Sequence, residues 1–355
     1  MTRASDPNGH QLLAGRLAQI PGVVAEMLAR PAAPLKRATL ASTHFVVTGT
    51  GSSEAHARFL ATLLNLYTDR PASYLPLSGF TSSQREAFAG KTLVVFSQGV
   101  SPNAQIALNR QRDFAHAVLF TATTPEVAAT AGKPDRAALL RRWLETGGDL
   151  VVFPLAEEYT TLIRFVGPMA GYLACLQFTA GLGGCRFRTP PADAILPLLA
   201  AEPPGELLRA MLDTPENFAR GFNLVCAAPI SDFAQNLACK FMEGVFWPCP
   251  PISDFLQFAH GPFQQMSAHP RPVVILQGDS PLEAELVARS VRMLAGAGLS
   301  AYVVRVDAPP LYSIFGFEAA FNRLVFALMQ RLGTDQVNWP GKGRDDLLYG
   351  FCPDT

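Results

Sequence analysis

Short apolar runs rich in β-branched residues alternate with helical patterns along most of this chain. The runs lie at Phe45–Val47, Thr92–Phe96, Val118–Phe120, Leu150–Phe153, Leu224–Ala227, Val273–Gln277 and Tyr302–Val306. Buried strands that alternate with helices predict a parallel sheet with helices on both faces. We therefore expect an α/β fold built on mainly parallel sheets.

The two halves of the chain resemble each other at strand-to-helix turns. The segment Val94–Pro102 resembles Val273–Pro281, which begins 179 residues later, and both contain Gln-Gly-x-Ser-Pro after a strand. A second pair, Thr48–Glu54 and Cys226–Asp232, is separated by 178 residues. Two matches at nearly one offset predict a duplicated α/β domain.

Polar, proline-containing stretches without periodicity suggest the domain boundaries. We expect a helical lead at 1–34, a first domain at 35–190, a linker at 191–204, a second domain at 205–330 and a tail at 331–355. Within the lead, Gln11–Leu28 is predicted to form an amphipathic helix that is broken at Pro21, because proline cannot donate a helical hydrogen bond.

Composition and charge exclude several classes of protein. Lys plus Arg and Asp plus Glu each number 29, so the formal net charge is zero. Nucleic-acid binders usually carry a basic excess, so we expect no nucleic-acid partner. Apolar residues make up 49% of the chain, which is enough to bury a large core and argues against a disordered chain.

The cysteines and the apolar stretches indicate where in the cell the protein is expected. The six cysteines form no CxxC pair and show no zinc-type spacing with histidine, which predicts free thiols in a reducing cytoplasm and no metal site. The segment 1–19 lacks the apolar core of a signal peptide. The uncharged stretch Phe165–Cys185 is long enough to cross a bilayer. Because Pro168, Gln177 and four glycines interrupt it, we interpret it as a buried helix and loop and expect no membrane partner.

Two turns that follow strands are rich in glycine and in hydrogen-bond donors. They are Gly49-Thr50-Gly51-Ser52-Ser53 and the segment Ser97–Asn103, which offers Ser97, Gln98, Ser101 and Asn103. Such turns at the carboxyl ends of parallel strands suit phosphate or polyol binding, because free N–H groups and hydroxyls donate to the ligand. Small polar residues there are also ordinary helix caps, and that alternative stays open.

The corresponding turns of the second half have lost this chemistry. The turn Ala227-Ala228-Pro229-Ile230 contains no glycine, Leu276 replaces Ser97, and Asp279 would repel phosphate. We therefore expect the second half not to bind a sugar of its own.

The second half instead offers acid and base candidates. Lys240 and Glu243 are three residues apart on a predicted helix, and so share one face. His260-Gly261-Pro262 forms a sharp turn that would aim the imidazole, a group that titrates near neutral pH. The alternatives are an exposed ion pair between Lys240 and Glu243 and a structural role for His260.

Together these residues resemble the sugar isomerase (SIS) domain family in its double-domain form. The resemblance covers about residues 35–330 and rests on Gly49–Ser53, Ser97–Pro102, Tyr159-Thr160-Thr161, Lys240-x-x-Glu243 and His260-Gly261-Pro262. The family includes the isomerase half of glucosamine-6-phosphate synthase and related sugar-phosphate deaminases, deglycases and ketose/aldose isomerases. It implies two tandem SIS domains, each a flavodoxin-like, three-layer αβα arrangement around a mainly parallel sheet.

The resemblance also implies roles for particular residues. Glu243 matches the base that moves a proton between C1 and C2 of an open-chain sugar. Lys240 would stabilise the developing enediolate, and His260 matches the ring-opening acid/base, which the partner subunit typically supplies. The sugar phosphate would be held by Gly51, Ser52, Ser53, Ser97, Gln98, Ser101 and Asn103, with Thr50 as a further candidate. We therefore expect a homodimer with a shared site, and chemistry that needs no metal or organic cofactor.

The sequence departs from the family pattern in two places. Family members read Ser-x-Ser-Gly in the second loop, where this chain has Ser97-Gln98-Gly99-Val100-Ser101. Leu155-Ala156-Glu157-Glu158 replaces a Ser-Thr-Lys stretch, so Glu157 is a candidate that would disfavour phosphate or pair with an ammonium group or hydroxyls. Lys342 or Arg344 is a candidate because the synthase places a lysine of its C-terminal tail in the sugar site. A phosphorylated, free or amino-substituted sugar therefore stays open.

Two classes of function fit these residues, and a third reading stays open. The first is an enzyme that isomerises, deaminates or deglycates a sugar or sugar phosphate by proton transfer. The second is a non-catalytic sensor of sugar phosphates, and the third is a structural paralogue with an inactive site. The presence of Lys240, Glu243 and His260 favours the enzyme, since a sensor needs no such set.

Overall fold

The computed structural model describes residues 6, 8–30, 34–154, 158, 160–187 and 191–351. These residues form two compact units, each assembled from separate stretches of chain. The first-sheet unit comprises Val23–Glu157, Gly167–Pro190 and Pro340–Thr355, and the second-sheet unit comprises Met1–Gly22, Glu158–Val166 and Pro191–Trp339.

Each unit is built around one parallel sheet. The strands are β1 (Phe45–Thr48), β2 (Ala72–Tyr74), β3 (Thr92–Phe96), β4 (His116–Thr121), β5 (Asp149–Val152), β6 (Asn223–Cys226), β7 (Ile252–Asp254), β8 (Val273–Gln277) and β9 (Ala301–Arg305). The first sheet has the order β2-β1-β3-β4-β5, and the second has the order β7-β6-β8-β9. The first order is the flavodoxin-like one, so the α/β fold class with parallel sheets is confirmed.

Helices connect the strands, as parallel pairing requires. In the first half they are α1 (His10–Ala29), α2 (Arg37–Leu40), α3 (Ser52–Tyr67), α4 (Gly79–Ser82), α5 (Gln105–Leu108), α6 (Pro125–Thr130), α7 (Pro134–Glu145) and α8 (Val166–Gly181). In the second half they are α9 (Ala192–Ile195), α10 (Gly205–Asp213), α11 (Pro215–Ala219), α12 (Ile230–Phe233), α13 (Gln235–Val245), α14 (Phe255–Phe258), α15 (Pro262–Ala268), α16 (Pro281–Gly296), α17 (Pro310–Leu332) and α18 (Asp346–Tyr349). Short 3₁₀ turns lie at Arg85–Phe88, Pro102–Ala104, Gln111–Asp113 and Leu196–Ala200.

The predicted strands are all present, and the structure adds two that the pattern did not predict. The additions are β2 and β7, which pair with β1 and β6 respectively. Each has three residues and lies at the edge of its sheet. Edge strands this short are partly solvated and carry no apolar alternation, so periodicity cannot detect them.

Two expectations about helices have different outcomes. The predicted break at Pro21 is wrong, since α1 runs unbroken from His10 to Ala29 with the proline inside it. The interpretation of Phe165–Cys185 as a buried helix and loop is confirmed: α8 ends at Gly181, and Met169, Leu173 and Leu176 on it are fully buried.

Each sheet has an apolar core of its own. In the first-sheet unit, Leu93 and Leu119 of neighbouring strands pack in one cluster with Leu140 and Trp143 of α7. In the second-sheet unit, Val225, Val273 and Ile275 cluster with residues of α16. Fully burying one such side chain stabilises a fold by about 1.5–3 kcal/mol, which fixes the strand ends from which the functional loops emerge.

The stretch predicted to be a linker is structured. Residues 191–204 contain α9 and the 3₁₀ turn Leu196–Ala200, and both pack on α17. Arg323 of α17 donates to the carbonyl oxygens of Leu199 and Ala201 at 3.0 and 3.1 Å. The stretch thus belongs to the second-sheet unit, although the predicted domain boundaries themselves stay a prediction.

Two of the described helices, α1 and α17, are long and apolar enough to cross a membrane. Most of α17 is buried inside the protein, whereas most of α1 is not. Since core helices of soluble proteins can have the same length and apolar character, these two properties alone are weak evidence for a span.

Candidate functional site

The first sheet reverses its winding between β1 and β3. Strand β1 has β2 on one side and β3 on the other, and Thr48 at its end pairs with Val95. Open parallel sheets bind ligands in the crevice at the carboxyl ends of the strands where such a reversal occurs. The two predicted loops, Gly49–Ser53 and Ser97–Asn103, leave the sheet side by side at this point.

The first loop leads directly into the 16-residue helix α3. Gly51 has φ +61°, a value that favours glycine, and a Cβ on Gly49 would lie 2.3 Å from the backbone oxygen of Ser53. Thr50 is exposed, and Ser52 and Ser53 are partly exposed in the first turn of α3. The N–H groups of Ser53 and Glu54 donate within the turn to the carbonyl oxygens of Thr50 and Gly51 at 3.2 and 3.0 Å. The hydroxyls are thus the more open donors of this loop, and its role in anion binding stays a prediction.

The second loop is held by its own polar side chains. Ser97 Oγ accepts from the backbone N–H of Ser101 at 3.0 Å, and Ser101 Oγ donates to Asn103 Oδ1 at 2.8 Å. Ser97 is 6% exposed, whereas Ser101 and Asn103 are partly open. The structure thus brings Ser97, Ser101 and Asn103 together in one network beside the end of β3.

Val100 adopts a backbone conformation that suits glycine. Its φ is +52°, a region that β-branched residues rarely enter. Val100 occupies the fourth place of the run that begins at Ser97, where the SIS pattern has glycine. The loop therefore keeps a glycine-like turn without the glycine, and strain of this kind costs on the order of 1–3 kcal/mol.

Gln98 lies against the start of helix α8. It is 7% exposed, and a Cβ on Gly167 would lie only 2.4 Å from Gln98 Oε1. The glycine at this position therefore allows the amide to pack against the helix, and the amide is fixed in place.

A cluster that sequence reasoning missed lies beside the first loop. Tyr74 donates from its hydroxyl to the carbonyl oxygen of Gly49 at 3.3 Å, and the Arg58 guanidinium lies 4.1 Å from the centre of its ring. Arg58 also pairs with Glu54 at 2.8 Å. Burial, and next the charge of Glu54, raise the pKa of Tyr74 to about 12, so the hydroxyl stays protonated. The spacing of Glu54 and Arg58 on α3 was the available signal.

The matching loop of the second sheet is filled by a side chain of the same unit. The backbone N–H of Gly278 donates to Glu283 Oε2 at 2.6 Å, and Glu283 is 4% exposed. This carboxylate occupies the place where an anion would meet the loop. That the second half binds no sugar of its own stays a prediction, to which the Glu283 carboxylate on the N–H of Gly278 would contribute together with the exposed Asp279.

Lys240 lies in a buried ion pair. Its Nζ is 2.8 Å from Glu318 Oε2 of α17, and the two side chains are 1% and 0% exposed. Asn236, one turn earlier on α13, donates to the other oxygen of Glu318 at 2.6 Å. The alternative of an exposed pair between Lys240 and Glu243 is therefore wrong. Glu318 was missed, although a carboxylate within the apolar helix 310–332 was a signal for a buried partner.

Glu243 is half-buried near two cations. Burial raises its pKa to about 7, while the charges of Arg164 and Lys240 lower it. A carboxyl with a pKa near neutrality is suited to take up and return a proton. Arg164 also escaped the sequence analysis, because it lies about 80 residues from Glu243 along the chain and no local pattern links them.

Gln336 anchors the end of α13. It is fully buried, and its Nε2 donates to the carbonyl oxygens of Glu243 and Gly244 at 3.0 and 2.9 Å. Its Oε1 accepts from the N–H of Ile163 at 3.1 Å. One side chain thus ties the helix that carries Glu243 to the segment that carries Arg164.

The segment before α8 is also tied down within the second-sheet unit. Glu158 accepts from the backbone N–H groups of Phe165 and Val166 at 3.0 and 2.8 Å. The hydroxyls of Thr160 and Thr161 accept from the buried Arg16. These polar groups of the Tyr159-Thr160-Thr161 region therefore stabilise the backbone. Glu157 and Tyr159 lie outside the described residues.

His260 is exposed at the start of α15. Gly261 follows with φ +121° and donates from its N–H to Gln264 Oε1 at 2.8 Å, and Pro262 begins the helix. The sharp turn is present. Among the described residues of its unit, none is seen to hydrogen-bond to the imidazole, whose proposed role stays a prediction.

The tail returns to the first-sheet unit. Helix α18 packs on the 3₁₀ turn Pro102–Ala104, directly after the second loop, and Lys342 lies exposed shortly before α18. The described residues contain no group of three or more His, Cys, Asp or Glu side chains arranged to hold a metal ion.

Structure comparison shows which fold this is. The chain is similar to the C-terminal domain of glucosamine-fructose-6-phosphate aminotransferase from Francisella tularensis, with a TM-score of 0.75, 14% identity, and 95% of this chain and 100% of that one covered. It is also similar to tagatose-6-phosphate ketose/aldose isomerase from Escherichia coli, with a TM-score of 0.64, 14% identity and coverage of 94% and 98%. It is similar as well to glucosamine-6-phosphate deaminase from Thermotoga maritima, with a TM-score of 0.59, 14% identity, and 92% of this chain and 97% of that one covered.

These likenesses show an SIS-type sugar isomerase fold. No family model matches the sequence, and no curated protein matches it either. Identities of this size establish the fold alone, so the chemistry has to be argued from the residues of this chain.

Proposed function

We propose that this protein is an enzyme that transfers a proton between C1 and C2 of an open-chain sugar phosphate. The observation that carries the proposal is Glu243, a half-buried carboxyl with a pKa raised to about 7. It stands on α13, where Gln336 fixes the end of the helix. A sensor would need the binding loops but no carboxyl held in this way.

The loops beyond β1 and β3 would bind the sugar phosphate. They offer the hydroxyls of Thr50, Ser52 and Ser53 at the start of α3 and the Ser97–Asn103 network. These donors suit an anion with neighbouring hydroxyls. Lys342, in the tail shortly before α18, is a candidate for adding a positive charge.

The proposed chemistry needs one base that works in both directions. The Glu243 carboxylate takes the proton from C2 of an aldose, which leaves an enediol or enediolate, and then returns a proton to C1 as the carbonyl moves to C2. Lys240 would act through its charge on Glu243, because its ammonium group is buried against Glu318. His260 would open the sugar ring by donating a proton to the ring oxygen, with the partner subunit of a homodimer as its source.

Two related reactions share the first proton transfer. An amino group or an amine-linked substituent on the sugar would leave by hydrolysis, which makes deamination or deglycation the next candidates. The structural similarity to a glucosamine-6-phosphate deaminase and to a ketose/aldose isomerase supports both branches. We propose a cytoplasmic location on the basis of the free thiols.

Proton NMR in D₂O with a panel of phosphorylated, free and amino-substituted sugars would test this function. We expect deuterium at C1 or C2, or a new product, for at least one phosphorylated sugar. Line broadening of a sugar phosphate without exchange or product would contradict the enzyme and support the sensor. If no sugar of the panel exchanged or bound, both the enzyme and the sensor would be contradicted, and a structural paralogue with an inactive site would remain.

A further inference from the structure

Two cysteines of the second-sheet unit lie close together beside the proposed base. Cys239 is on α13 and is 5% exposed, and Cys249 follows the helix in a half-buried position. Both are free thiols. The proposed proton transfer uses neither of them.

The end of α13 explains how residues ten apart in sequence meet. Phe246 ends the helix in the left-handed conformation, and the N–H of Trp247 donates to the carbonyl oxygen of Phe241 at 3.2 Å. The Trp247 ring then stacks on Phe241, with centroids 6.2 Å apart and planes 11° from parallel. The chain thus folds back along α13 and carries Cys249 toward Cys239.

The side-chain amide of Gln235 lies close to both sulfurs. Its Nε2 lies 3.5 Å from Cys239 Sγ and 3.7 Å from Cys249 Sγ. The two sulfurs therefore lie on either side of one amide nitrogen. Cys249 stands between Pro248 and Pro250, whose fixed φ angles limit how far the sulfur can move away.

The two sulfurs differ in their acidity. The neighbouring Cys239 thiol, and next the amide of Gln235, lower the pKa of Cys249 to about 7, against burial and the charge of Glu243. The neighbouring Cys249, followed by burial, raises the pKa of Cys239. Cys249 is also the more exposed of the two. Since thiolates are the reactive form of cysteine, Cys249 has the character of an attacking sulfur and Cys239 that of a resolving one.

We propose that Cys239 and Cys249 form a reversible disulfide when the protein meets hydrogen peroxide. The Cys249 thiolate attacks a peroxide oxygen, the O–O bond breaks, and a sulfenic acid forms with release of hydroxide, which takes up the proton that the Cys249 thiol lost and becomes water. Cys239 then attacks the Cys249 sulfur, the S–O bond breaks, and the thiol proton joins the departing hydroxide as water. The two thiols are oxidised and the peroxide is reduced to two molecules of water.

The disulfide would fix the segment after α13 to the helix that carries Lys240 and Glu243. Cys239 precedes Lys240 and lies one helical turn from Glu243, on the same side of α13. The site is thus an oxidation site beside the proposed base, and its existence does not depend on whether Glu243 acts on a sugar.

Peptide mapping of the full-length protein tests the proposal. Trypsin cleaves after Lys240, so Cys239 falls in the fragment Gly221–Lys240 and Cys249 in the fragment that starts at Phe241. After treatment with hydrogen peroxide, blocking of free thiols and digestion, we expect these fragments to be joined and to separate again with dithiothreitol.

A control variant identifies the sulfur in the first fragment. Cys226 lies in the same fragment as Cys239, so Cys226→Ala must keep the link and Cys239→Ser must lose it. In Cys239→Ser, Cys249 should instead be trapped as a sulfenic acid by dimedone. A link that disappears in Cys226→Ala would overturn the proposal, as would wild-type protein in which Cys249 proceeds to sulfinic acid while Cys239 stays reduced.

Discussion

At the scale of single residues, the proposed proton transfer depends on the charge of Glu243. Its pKa in the folded protein, about 7, lies above the ordinary value of 4.5. Between these pH values the folded protein therefore holds more protons than the unfolded chain. The free energy of unfolding then falls as the pH rises through this window, because the folded form must give up a proton that it binds better.

This linkage predicts that Glu243→Gln flattens the pH dependence of stability. We expect the free energy of unfolding of the wild type to fall by about 2–3 kcal/mol more than that of the variant between pH 4.5 and pH 8, given 1.36 kcal/mol for each pKa unit. Urea unfolding of both proteins across this range measures the difference. Parallel curves for the two proteins would show that the pKa of Glu243 is not raised.

The buried pair of Lys240 and Glu318 makes a second prediction. Removing one partner leaves the other charged and buried, so Lys240→Met should lower the free energy of unfolding by about 3–5 kcal/mol. The double variant Lys240→Met with Glu318→Met should recover most of this loss. A double variant no more stable than the single one would mean that the two side chains are not coupled. Chemical denaturation of the single and double variants measures the coupling.

At the scale of elements, the sequence pattern was sufficient to predict the strands that are fully buried. The seven predicted strands are present because fully buried parallel strands must be continuous apolar runs. The edge strands β2 and β7 escaped because half-solvated, three-residue strands leave no such pattern. The continuity of α1 through Pro21 also escaped, since neighbouring contacts can support a helix that lacks one hydrogen bond.

The packing of α8 on the second loop gives a prediction for this scale. Gly167→Ala would place a Cβ 2.4 Å from Gln98 Oε1 and push the amide aside. We expect about 3–10-fold weaker binding of the sugar phosphate, equivalent to one lost hydrogen bond. Gly181→Ala on the same helix is the matched control, because its Cβ meets Leu35 at an ordinary 3.5 Å. Isothermal titration calorimetry measures the affinity of the wild type and of both variants for the sugar phosphate. Equal affinities would show that Gln98 does not contribute to binding.

At the scale of the whole molecule, the local sequence pattern could not show which stretches of chain belong to the same compact unit. Residues 1–22 and 158–166 belong to the unit of the second sheet, although they precede it by many residues. Gln336 shows the reason, since its side chain binds Ile163 and the end of α13 at once. Such long-range hydrogen bonds have no sequence signature, so the role of Gln336 emerged only from the structure.

The predicted internal repeat also makes a prediction at this scale. At its offset of 179 residues, Ala104, directly after the Ser97–Asn103 loop, corresponds to Glu283, whose carboxylate accepts from the N–H of Gly278. Ala104→Glu should therefore occupy the Ser97–Asn103 loop from within and weaken sugar-phosphate binding by more than tenfold, by like-charge repulsion and by pairing with the N–H groups of that loop. Ala104→Gln is the neutral control of the same size and should bind more tightly than the glutamate variant. Equal binding by both would argue against the equivalence of the two loops.

The most direct test of the central claim is the rate of deuterium incorporation from D₂O into a bound sugar phosphate. For a general base, we expect Glu243→Gln to slow this rate by about 10²–10⁴-fold while the affinity for the sugar stays nearly unchanged. The exposed Glu206→Gln of α10 should exchange like the wild type. Exchange at the wild-type rate in Glu243→Gln would contradict the account, because the proton would then be moved by another group.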